Sequence, residues 1–210
     1  MSNKDSVTAL LKSIHQLGDD IRPSEEQAMD AVRTLIRYAG DDPDREGLIE
    51  TPDRVVRAFE EFFRGYAEDP AEILGKTFEQ PSGYHDVVIL RDIPYESHCE
   101  HHIMPFTGKI HIAYLPNKMV AGISKLARVV DVYAKRLQIQ EKMTSEIAIA
   151  IYQHLSAKGV IVVAEGVHEC MTNRGVHKQG VNMITMQALG LYEHDAIKRE
   201  EVLRLIKSGT

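Results

Sequence analysis

Cysteine and histidine side chains are concentrated in two short stretches of this sequence. Cys99 and His102 lie three positions apart in the first stretch, and Cys170 lies in the second, two positions after His168. Thiolate and imidazole are ligands that zinc prefers. Because a spacing of three lets one tight turn direct both side chains at a single ion, the pattern predicts a zinc site.

Three protein ligands would leave one position of a tetrahedral zinc ion open. Structural zinc sites normally fill all four positions with protein side chains, whereas catalytic sites keep one for water or substrate. A set made of Cys99, His102 and Cys170 therefore indicates a catalytic metal that acidifies a water molecule.

Other uses of two cysteines have to be weighed against a metal. They could form a disulfide, or they could be buried free thiols beside surface histidines. Both cysteines of the chain lie in this pattern, and four of its ten histidines, His98, His101, His102 and His168, lie beside them. That clustering favours the metal, and in a reducing cytosol the disulfide is the weaker explanation.

Composition and charge restrict the class of protein. With 210 residues, 43% of them hydrophobic, the chain can bury a sizeable core in one domain with a helical appendage. A net charge of −6 argues against a nucleic-acid-binding surface. No apolar run approaches the length of a membrane span, and the N-terminus lacks the apolar core of a secretory signal. These features predict a cytoplasmic protein without membrane or nucleic-acid partners.

The N-terminal part of the sequence shows helical periodicity. An amphipathic helix is predicted from Ser24 to Ala39, and a second helix is predicted to begin with Thr51 as its N-cap and Pro52 at its first position. Gly65 is expected to end the second helix. The regions expected along the chain are a flexible segment over 1–22, a helical region over 23–80 and a catalytic domain over 81–210.

The remainder of the sequence alternates strand and helix patterns. Strand patterns occupy 87–90, 107–115, 160–163 and 182–189, and helix patterns occupy 124–137, 143–157 and 196–206, with Ser124 as an N-cap and Gly159 as a C-cap. The third strand is expected to continue so that His168 and Cys170 share a face. This order predicts an α+β fold with helix pairs and a largely antiparallel four-stranded sheet, whose edges need a cover or a second subunit.

Lys125 and Arg128 share a face in the first turn of the helix predicted from Ser124. Free backbone N–H groups and the helix dipole favour an anion at this place. The two cations are either part of a phosphate site or a pair of solvated side chains, and the pattern alone leaves both readings open.

Six separated motifs carry a family resemblance that runs from about Ser24 to Ile206. The motifs, in order, are Thr51-Pro52-Asp53-Arg54, Cys99-Glu100-His101-His102, Ser124-Lys125-Leu126-Ala127-Arg128, Gln140-Glu141, His168-Glu169-Cys170 and Arg174-Gly175. Each motif is weak alone, but together they are specific. In order and type they resemble the GTP cyclohydrolase I family.

The resemblance implies a fold, an assembly and a reaction. The fold is the tunnelling fold, in which antiparallel sheets of neighbouring subunits join edge to edge into a ring. The assembly is a homodecamer of two stacked pentamers. The reaction converts GTP and water to 7,8-dihydroneopterin triphosphate and formate, the first committed step toward folate or tetrahydrobiopterin.

Roles for the residues of the metal pattern also follow from the resemblance. Zn2+ held by Cys99, His102 and Cys170 would supply the nucleophile that opens the purine at C8. His101 resembles the acid that protonates the imidazole nitrogen of the base. His168 resembles the second acid/base, which acts near the ribose.

Substrate recognition is implied in the same way. Glu141 can accept both N1–H and N2–H of guanine, and together with Gln140 it is expected to select the base. Ser124 resembles a proton relay for the rearrangement of the ribose. The cations expected to bind the triphosphate are Lys125, Arg128, Arg174 and Arg54.

The sequence departs from the family pattern at three places. His98 is either a spare ligand or a surface side chain. Glu169 stands where the family often has an aromatic residue or methionine, and the segment 182–187 is less rich in Ser and Thr than is common. These departures leave the named motifs intact.

Two other classes of protein stay open. A zinc-stabilised ring that binds a pterin or nucleotide without catalysis would need the metal but not His101, His168 and Glu141, whose joint presence disfavours it. A nitrile reductase of the queuosine pathway, also a tunnelling-fold enzyme, uses a nucleophilic cysteine without this zinc set. The combination of Cys99 with His102 and Cys170 therefore argues against the reductase.

Overall fold

The computed structural model describes residues 22–79 and 84–208 of the chain. The chain forms two compact units, which divide between Tyr66 and Ala67. The segment predicted to be flexible, 1–22, lies outside the described residues except for its last position. The boundary predicted at residue 80 stays a prediction.

The described part of the first unit consists of two helices and the start of a 3₁₀ turn. Helix α1 spans Glu25–Tyr38, helix α2 spans Thr51–Phe62, and the turn covers Arg64–Ala67. α1 begins as predicted, because the Ser24 hydroxyl accepts a hydrogen bond from the backbone N–H of Gln27 while the Gln27 side chain accepts one from the Ser24 N–H. This capping box satisfies two N–H groups at the helix start.

The start and end of α2 differ from the prediction. Thr51 is already the first helical residue, and Glu50 holds the cap position without a side-chain capping bond. The backbone N–H of Thr51 donates to the carbonyl of Leu48 at 2.9 Å, so the preceding turn runs directly into the helix. The helix ends at Phe62, and Gly65 lies in the 3₁₀ turn that follows.

The second unit is built on antiparallel strands. In the described residues the strands are β1 Thr77–Glu79, β2 Val88–Cys99, β3 Pro105–Leu115, β4 Met119–Ala121, β5 Leu137–Gln138, β6 Gly159–His168 and β7 Met183–Gly190. β1 and β4 pair by themselves, and the others form one sheet in the order β5-β2-β3-β6-β7, in which only the β2–β5 pair is parallel. The four long strands confirm the predicted α+β architecture with an antiparallel sheet, but the short β5 makes this sheet five-stranded and not four-stranded as predicted.

Six helices of the second unit accompany these strands in the described residues. They are α3 Pro70–Leu74, α4 Ile123–Ala134, α5 Gln140–His154, α6 Glu169–Thr172, α7 Leu191–His194 and α8 Ala196–Lys207. The N-cap of α4 is Gly122 and not Ser124, because the chain leaves β4 at Ala121 and turns within one residue. Leu137 continues the apolar spacing of α4 in the sequence but belongs to β5, which the sequence did not predict.

The predicted helix cap at Gly159 is also wrong. α5 begins at Gln140, earlier than predicted, and ends with Leu155 as its C-cap, so that Gly159 is the first residue of β6. A Cβ atom at this position would lie 2.8 Å from the ring of Tyr192. The glycine therefore allows a close approach between β6 and α7.

Alternating residues of the central strands build a core on each face of the sheet. On one face, Ile112 and Val162 belong to a large buried cluster to which α4 and α5 contribute. On the other face, Ala113, Ile161 and Val163 pack with Tyr192 of α7 and with α8. The central strands are therefore packed on both faces of the sheet.

None of the helices in the described residues has the length and apolar character needed to cross a membrane.

Candidate metal and substrate site

Cys99 is the last residue of β2, at the start of a tight turn into β3. Its backbone N–H donates to the carbonyl of Met104 at 2.8 Å, and the N–H of Ile103 donates to the carbonyl of Cys99 at 2.8 Å. Ile103 takes a φ of 54°, a region that non-glycine residues occupy only when surrounding contacts hold them there. β5 supports the same turn, since the N–H of Glu100 donates to the carbonyl of Gln138 at 3.0 Å. The buried Cys99 thiol is thus held in a defined position.

Cys170 approaches Cys99 because of the register between β3 and β6. Phe106, near the start of β3, pairs with His168, the last residue of β6. The prediction that His168 and Cys170 share a strand face is wrong, because the strand stops at His168 and Cys170 lies in α6. Within α6, the Glu169 carboxylate accepts a hydrogen bond from the Thr172 hydroxyl at 2.8 Å, which stabilises this short helix.

The three predicted zinc ligands meet at this point. The ligand atoms of Cys99, His102 and Cys170 all lie within 4.8 Å of one another, and Cys99 Sγ is 3.8 Å from His102 Nδ1. In a tetrahedral zinc site the sulfur and nitrogen ligands are about 3.6 Å apart, as ordinary Zn–S and Zn–N bond lengths require. The donor set and its spacing therefore fit a zinc ion.

The electrostatics of the two thiols also suit a cation. Burial raises the pKa of the Cys170 thiol, and the neighbouring Cys99 raises it further. Two adjacent thiolates would repel each other, and a divalent cation between them would offset that repulsion and favour their deprotonated forms.

Two more predicted residues lie beside this group. His101 is exposed, and its Nδ1 is 3.7 Å from Cys99 Sγ. Arg174 is also exposed, and its Nη1 lies 3.0 Å from Nε2 of His102. Both side chains are therefore placed where a ligand bound beside the metal group could meet them.

His168 lies half-buried between an aromatic ring and an amide. Its ring stacks on Phe106, with the centroids 4.4 Å apart and the planes within 5° of parallel. Its Nε2 is 3.0 Å from Oε1 of Gln140. Burial lowers the pKa of His168, while the negative charge of Glu141 opposes that change. The ring is therefore held in one orientation and favoured in its neutral form.

Gln140 has partners inside the fold rather than a free amide. Its side chain is fully buried, and its Nε2 donates to the carbonyls of Ala164 at 3.0 Å and Met183 at 2.9 Å. Its Oε1 faces His168. This arrangement differs from the expectation that Gln140 reads the base together with Glu141, because no N–H of the amide is left for guanine.

The remaining predicted residues of the second unit have side chains that bind no other described side chain or backbone group. Ser124 and Arg128 are exposed on α4, Lys125 is half-buried on the same helix, and Glu141 is exposed at the start of α5. In the described parts of the chain, none of these four side chains forms a hydrogen bond or ion pair. They are therefore available to a ligand.

Arg54 and His98 complete the set of residues that the sequence singled out. Arg54 lies on α2 in the first unit and forms an ion pair with Glu50. His98 is 5% exposed, so the interpretation as a surface side chain is wrong, and it is not part of the three-residue donor group. Burial lowers the pKa of His98.

Sequence reasoning missed the residues that support the site from a distance. Phe106 and Thr185 contact the site only because the register of the sheet brings them there. β5 supports the end of β2 through backbone pairing, with Gln138 opposite Cys99. Neither local periodicity nor residue type signals such contacts, since all of them join segments far apart in the chain.

An α+β domain that brings two thiols and an imidazole together at the ends of paired strands, with His101 and Arg174 beside them, defines a candidate metal-dependent hydrolase. The family model for GTP cyclohydrolase I matches residues 28–207. The chain belongs to the GTP cyclohydrolase I family.

Individual relatives agree with the family model. The GTP cyclohydrolase 1 of Hyphomonas neptunium is 55% identical over 184 residues, which cover 88% of this chain and 89% of that protein. The GTP cyclohydrolase 1 of Maricaulis maris is 52% identical over 89% of this chain and 91% of that protein. The GTP cyclohydrolase 1 of Allorhizobium ampelinum is 49% identical over 89% of this chain and 93% of that protein. The similarity therefore extends over most of each chain.

Proposed function

We propose that this protein converts GTP and water to 7,8-dihydroneopterin triphosphate and formate by opening the imidazole ring of guanine at C8. One observation carries the proposal: Cys99, His102 and Cys170 converge from distant segments in a chain that belongs to the GTP cyclohydrolase I family. The activity would be that of a hydrolase acting on the C–N bond of a cyclic amidine.

Cys99, His102 and Cys170 would hold the metal, which we propose to be zinc. When bound, zinc would supply Lewis-acid activation of water near neutral pH. The chain contributes a preorganised donor set, because the turn after β2 and the short helix α6 each have their own backbone hydrogen bonds. Such support restricts the ligand geometry before the ion binds.

Proton transfer is assigned to two histidines and a serine. His101, beside Cys99, would protonate the imidazole nitrogen of the base as its ring opens. His168 would move protons near the ribose, and Ser124 on α4 would relay protons in the rearrangement. Imidazole suits both histidine roles because its ordinary pKa is close to neutral pH.

Glu141 would read the base and four cations would bind the triphosphate. The exposed carboxylate of Glu141 can accept N1–H and N2–H of guanine, whereas adenine presents no such pair of donors. Because the amide of Gln140 is engaged in the fold, the base-reading role rests on Glu141. The proposed phosphate ligands are Lys125, Arg128, Arg174 and Arg54.

A ring of subunits, two pentamers forming a decamer, is proposed as the working assembly in the cytoplasm. β7 is an edge strand of the sheet, and its Ile184 and Met186 are 64% and 47% exposed. An exposed edge with apolar side chains is a surface that another strand can cover. Pairing with a neighbouring subunit would satisfy both the backbone groups and the apolar side chains of this edge.

The proposed activity is tested by incubating the zinc-loaded protein with GTP. We expect release of formate together with a pterin that becomes fluorescent on oxidation, and neither product from ATP, since Glu141 would lack its donor pair. Binding of GTP without formate would instead indicate a zinc-stabilised binding ring, and the proposed activity would then be rejected.

A further inference from the structure

We infer that Gln140 is a positioning residue that holds the neutral His168 ring as its Nε2–H tautomer and leaves Nδ1 as the ring's free proton acceptor. The assignment of the tautomer rests on hydrogen-bond geometry. Its consequence for turnover rests on the proposed function of His168.

The direction of the hydrogen bonds can be worked out from Thr144. Its Oγ1 lies 2.7 Å from the carbonyl oxygen of Gln140, and a carbonyl can only accept, so Thr144 donates. The Thr144 Oγ1 also lies 2.7 Å from Oγ1 of Thr185. Because the single hydroxyl hydrogen of Thr144 is already used, Thr185 must donate to Thr144. Thr185 is then left as an acceptor.

The side-chain amide of Gln140 has only one orientation that fits these partners. Three groups face its Nε2: the carbonyls of Ala164 and Met183 at 3.0 and 2.9 Å and the Thr185 hydroxyl at 3.2 Å. All three are acceptors, so the atom that faces them is the nitrogen. A flipped amide would place its oxygen against two carbonyl oxygens in a fully buried position, which is strongly unfavourable.

The atom of Gln140 that faces His168 is therefore the oxygen. It can only accept, so Nε2 of His168, at 3.0 Å, carries the hydrogen of this bond. A neutral imidazole carries a single ring hydrogen, and Nδ1 is consequently its lone-pair nitrogen. The tautomer of His168 follows from a chain of four hydrogen bonds that begins at Thr144.

Packing prevents this arrangement from relaxing. His168 is stacked on Phe106, which fixes the plane of the imidazole. Gly166 leaves the space that the amide needs, since a Cβ atom there would lie 2.5 Å from Gln140 Oε1 and would also collide with the hydroxyl of Tyr95. Gln140 is fully buried, so water does not compete for its amide.

The tautomer matters for the proposed role of His168. A general base needs a free lone pair at a fixed position, and the other tautomer would place a hydrogen there instead. Without the Gln140 acceptor, the His168 ring could adopt either tautomer and either of the two orientations related by a half-turn about χ2. We expect turnover to fall by about tenfold or more, because part of the rate enhancement that a positioned acid/base supplies is lost.

The first experiment reads the tautomer directly and needs no substrate. The parent protein is prepared with ring-15N histidine, and its magic-angle-spinning 15N spectrum is recorded at alkaline pH, with His168→Ala to assign the resonances. We expect the His168 ring to carry hydrogen on Nε2 and none on Nδ1. A ring protonated on Nδ1, or an even mixture of both forms, would overturn the inference. Because the parent protein is measured, the result does not depend on whether any Gln140 variant folds.

The second experiment is a double-mutant cycle on turnover of GTP. Gln140→Leu should lower kcat by about tenfold or more in the parent, but by less than about twofold in a His168→Ala background. Gln138→Leu is the matched control, since Gln138 is also a fully buried glutamine but donates to the carbonyl of Tyr133 and to Glu146. Its effect should be the same in both backgrounds.

The two experiments separate the inference from the proposed function. If Gln140→Leu lowers kcat equally in both backgrounds, Gln140 does not act through His168, and its positioning role is rejected. If the parent protein releases no formate from GTP, the proposed function fails, while the 15N spectrum still decides the tautomer.

Discussion

The side chains of Gln140 and Glu141 are neighbours in sequence at the start of α5, yet their environments are opposite. The Gln140 amide is fully buried and bound on both of its atoms, whereas the Glu141 carboxylate is exposed and has no hydrogen-bond or ion-pair partner among the described residues. Glu141 is nevertheless close enough for its charge to act on His168. The two adjacent side chains are thus suited to different tasks, one inside the fold and one toward a ligand.

Glu141→Gln tests the reading of the base. The substitution places an N–H where the proposed contact needs an acceptor, and loss of a charge-assisted pair should cost about 2–4 kcal/mol in kcat/KM. Calorimetry should detect weaker GTP binding, with unchanged zinc content. The exposed Glu193→Gln on α7 is a control for a change of charge alone. If Glu141→Gln binds GTP as tightly as the parent, Glu141 does not select the base.

Substitution of the proposed ligands tests the metal site. The parent should carry about one zinc per subunit, and Cys99→Ala, His102→Ala and Cys170→Ala should each lose both metal and activity, because two remaining ligands hold zinc weakly. Elemental analysis of the purified variants measures the metal. His98→Asn should keep its zinc, since His98 is outside the donor group. Full metal content in all three ligand variants would refute the assignment.

His101→Ala and His168→Ala separate proton transfer from binding. Both variants should keep zinc and bind GTP nearly as the parent does, while turnover slows by about a hundredfold or more, the usual worth of a positioned acid/base. One of the two is expected to stop after ring opening and accumulate a formyl intermediate, which chromatography would detect. Normal turnover in both variants would contradict the division of labour.

The assembly can be measured without substrate. The exposed apolar edge of β7 leads us to expect a large oligomer, with ten chains as the proposed number. Native mass spectrometry or light scattering gives the mass directly. A stable monomer with full activity would show that neither the ring nor a neighbouring subunit is required.

Gly166→Ala tests the close packing behind His168. The new methyl group would collide with the Tyr95 hydroxyl and with Gln140 Oε1, so the free energy of unfolding should fall by about 1–3 kcal/mol. Denaturant titration compares the variant with the parent. Equal stability of Gly166→Ala and the parent would mean that the packing around Gln140 can relax.

Local patterns in the sequence were sufficient for the order of the long helices and strands and for singling out Cys99, His102 and Cys170, which the structure brings together. The helix start at Ser24 depends on residues close by in the sequence, and so does the strand alternation before Cys99 and after Met104. Both features are therefore present in the structure as the local sequence indicates. The residue types of Cys99, His102 and Cys170 predicted a common metal ion before any coordinates were considered, because cysteine and histidine are preferred zinc ligands.

The ends of helices and strands were less predictable, because they depend on the backbone conformation of the neighbouring segments and on tertiary packing. Ser124 and Thr51 are good capping residues, but Gly122 and Glu50 hold the cap positions because the preceding segments turn there. Gly159 would suit a helix end, yet it begins β6 where Tyr192 approaches closely. In each case a tertiary or backbone constraint outweighs the preference of one residue.

The sequence by itself determined the chemistry available to the protein: which residues can bind a metal, move a proton or read a base. Only the tertiary structure decided which of them meet and how. Sheet register places Phe106 against His168, and burial engages the Gln140 amide while Glu141 stays exposed. The physical reason is that a hydrogen-bond partner or a packing surface is supplied by distant segments, and their relative position is set by the fold as a whole and not by local propensity.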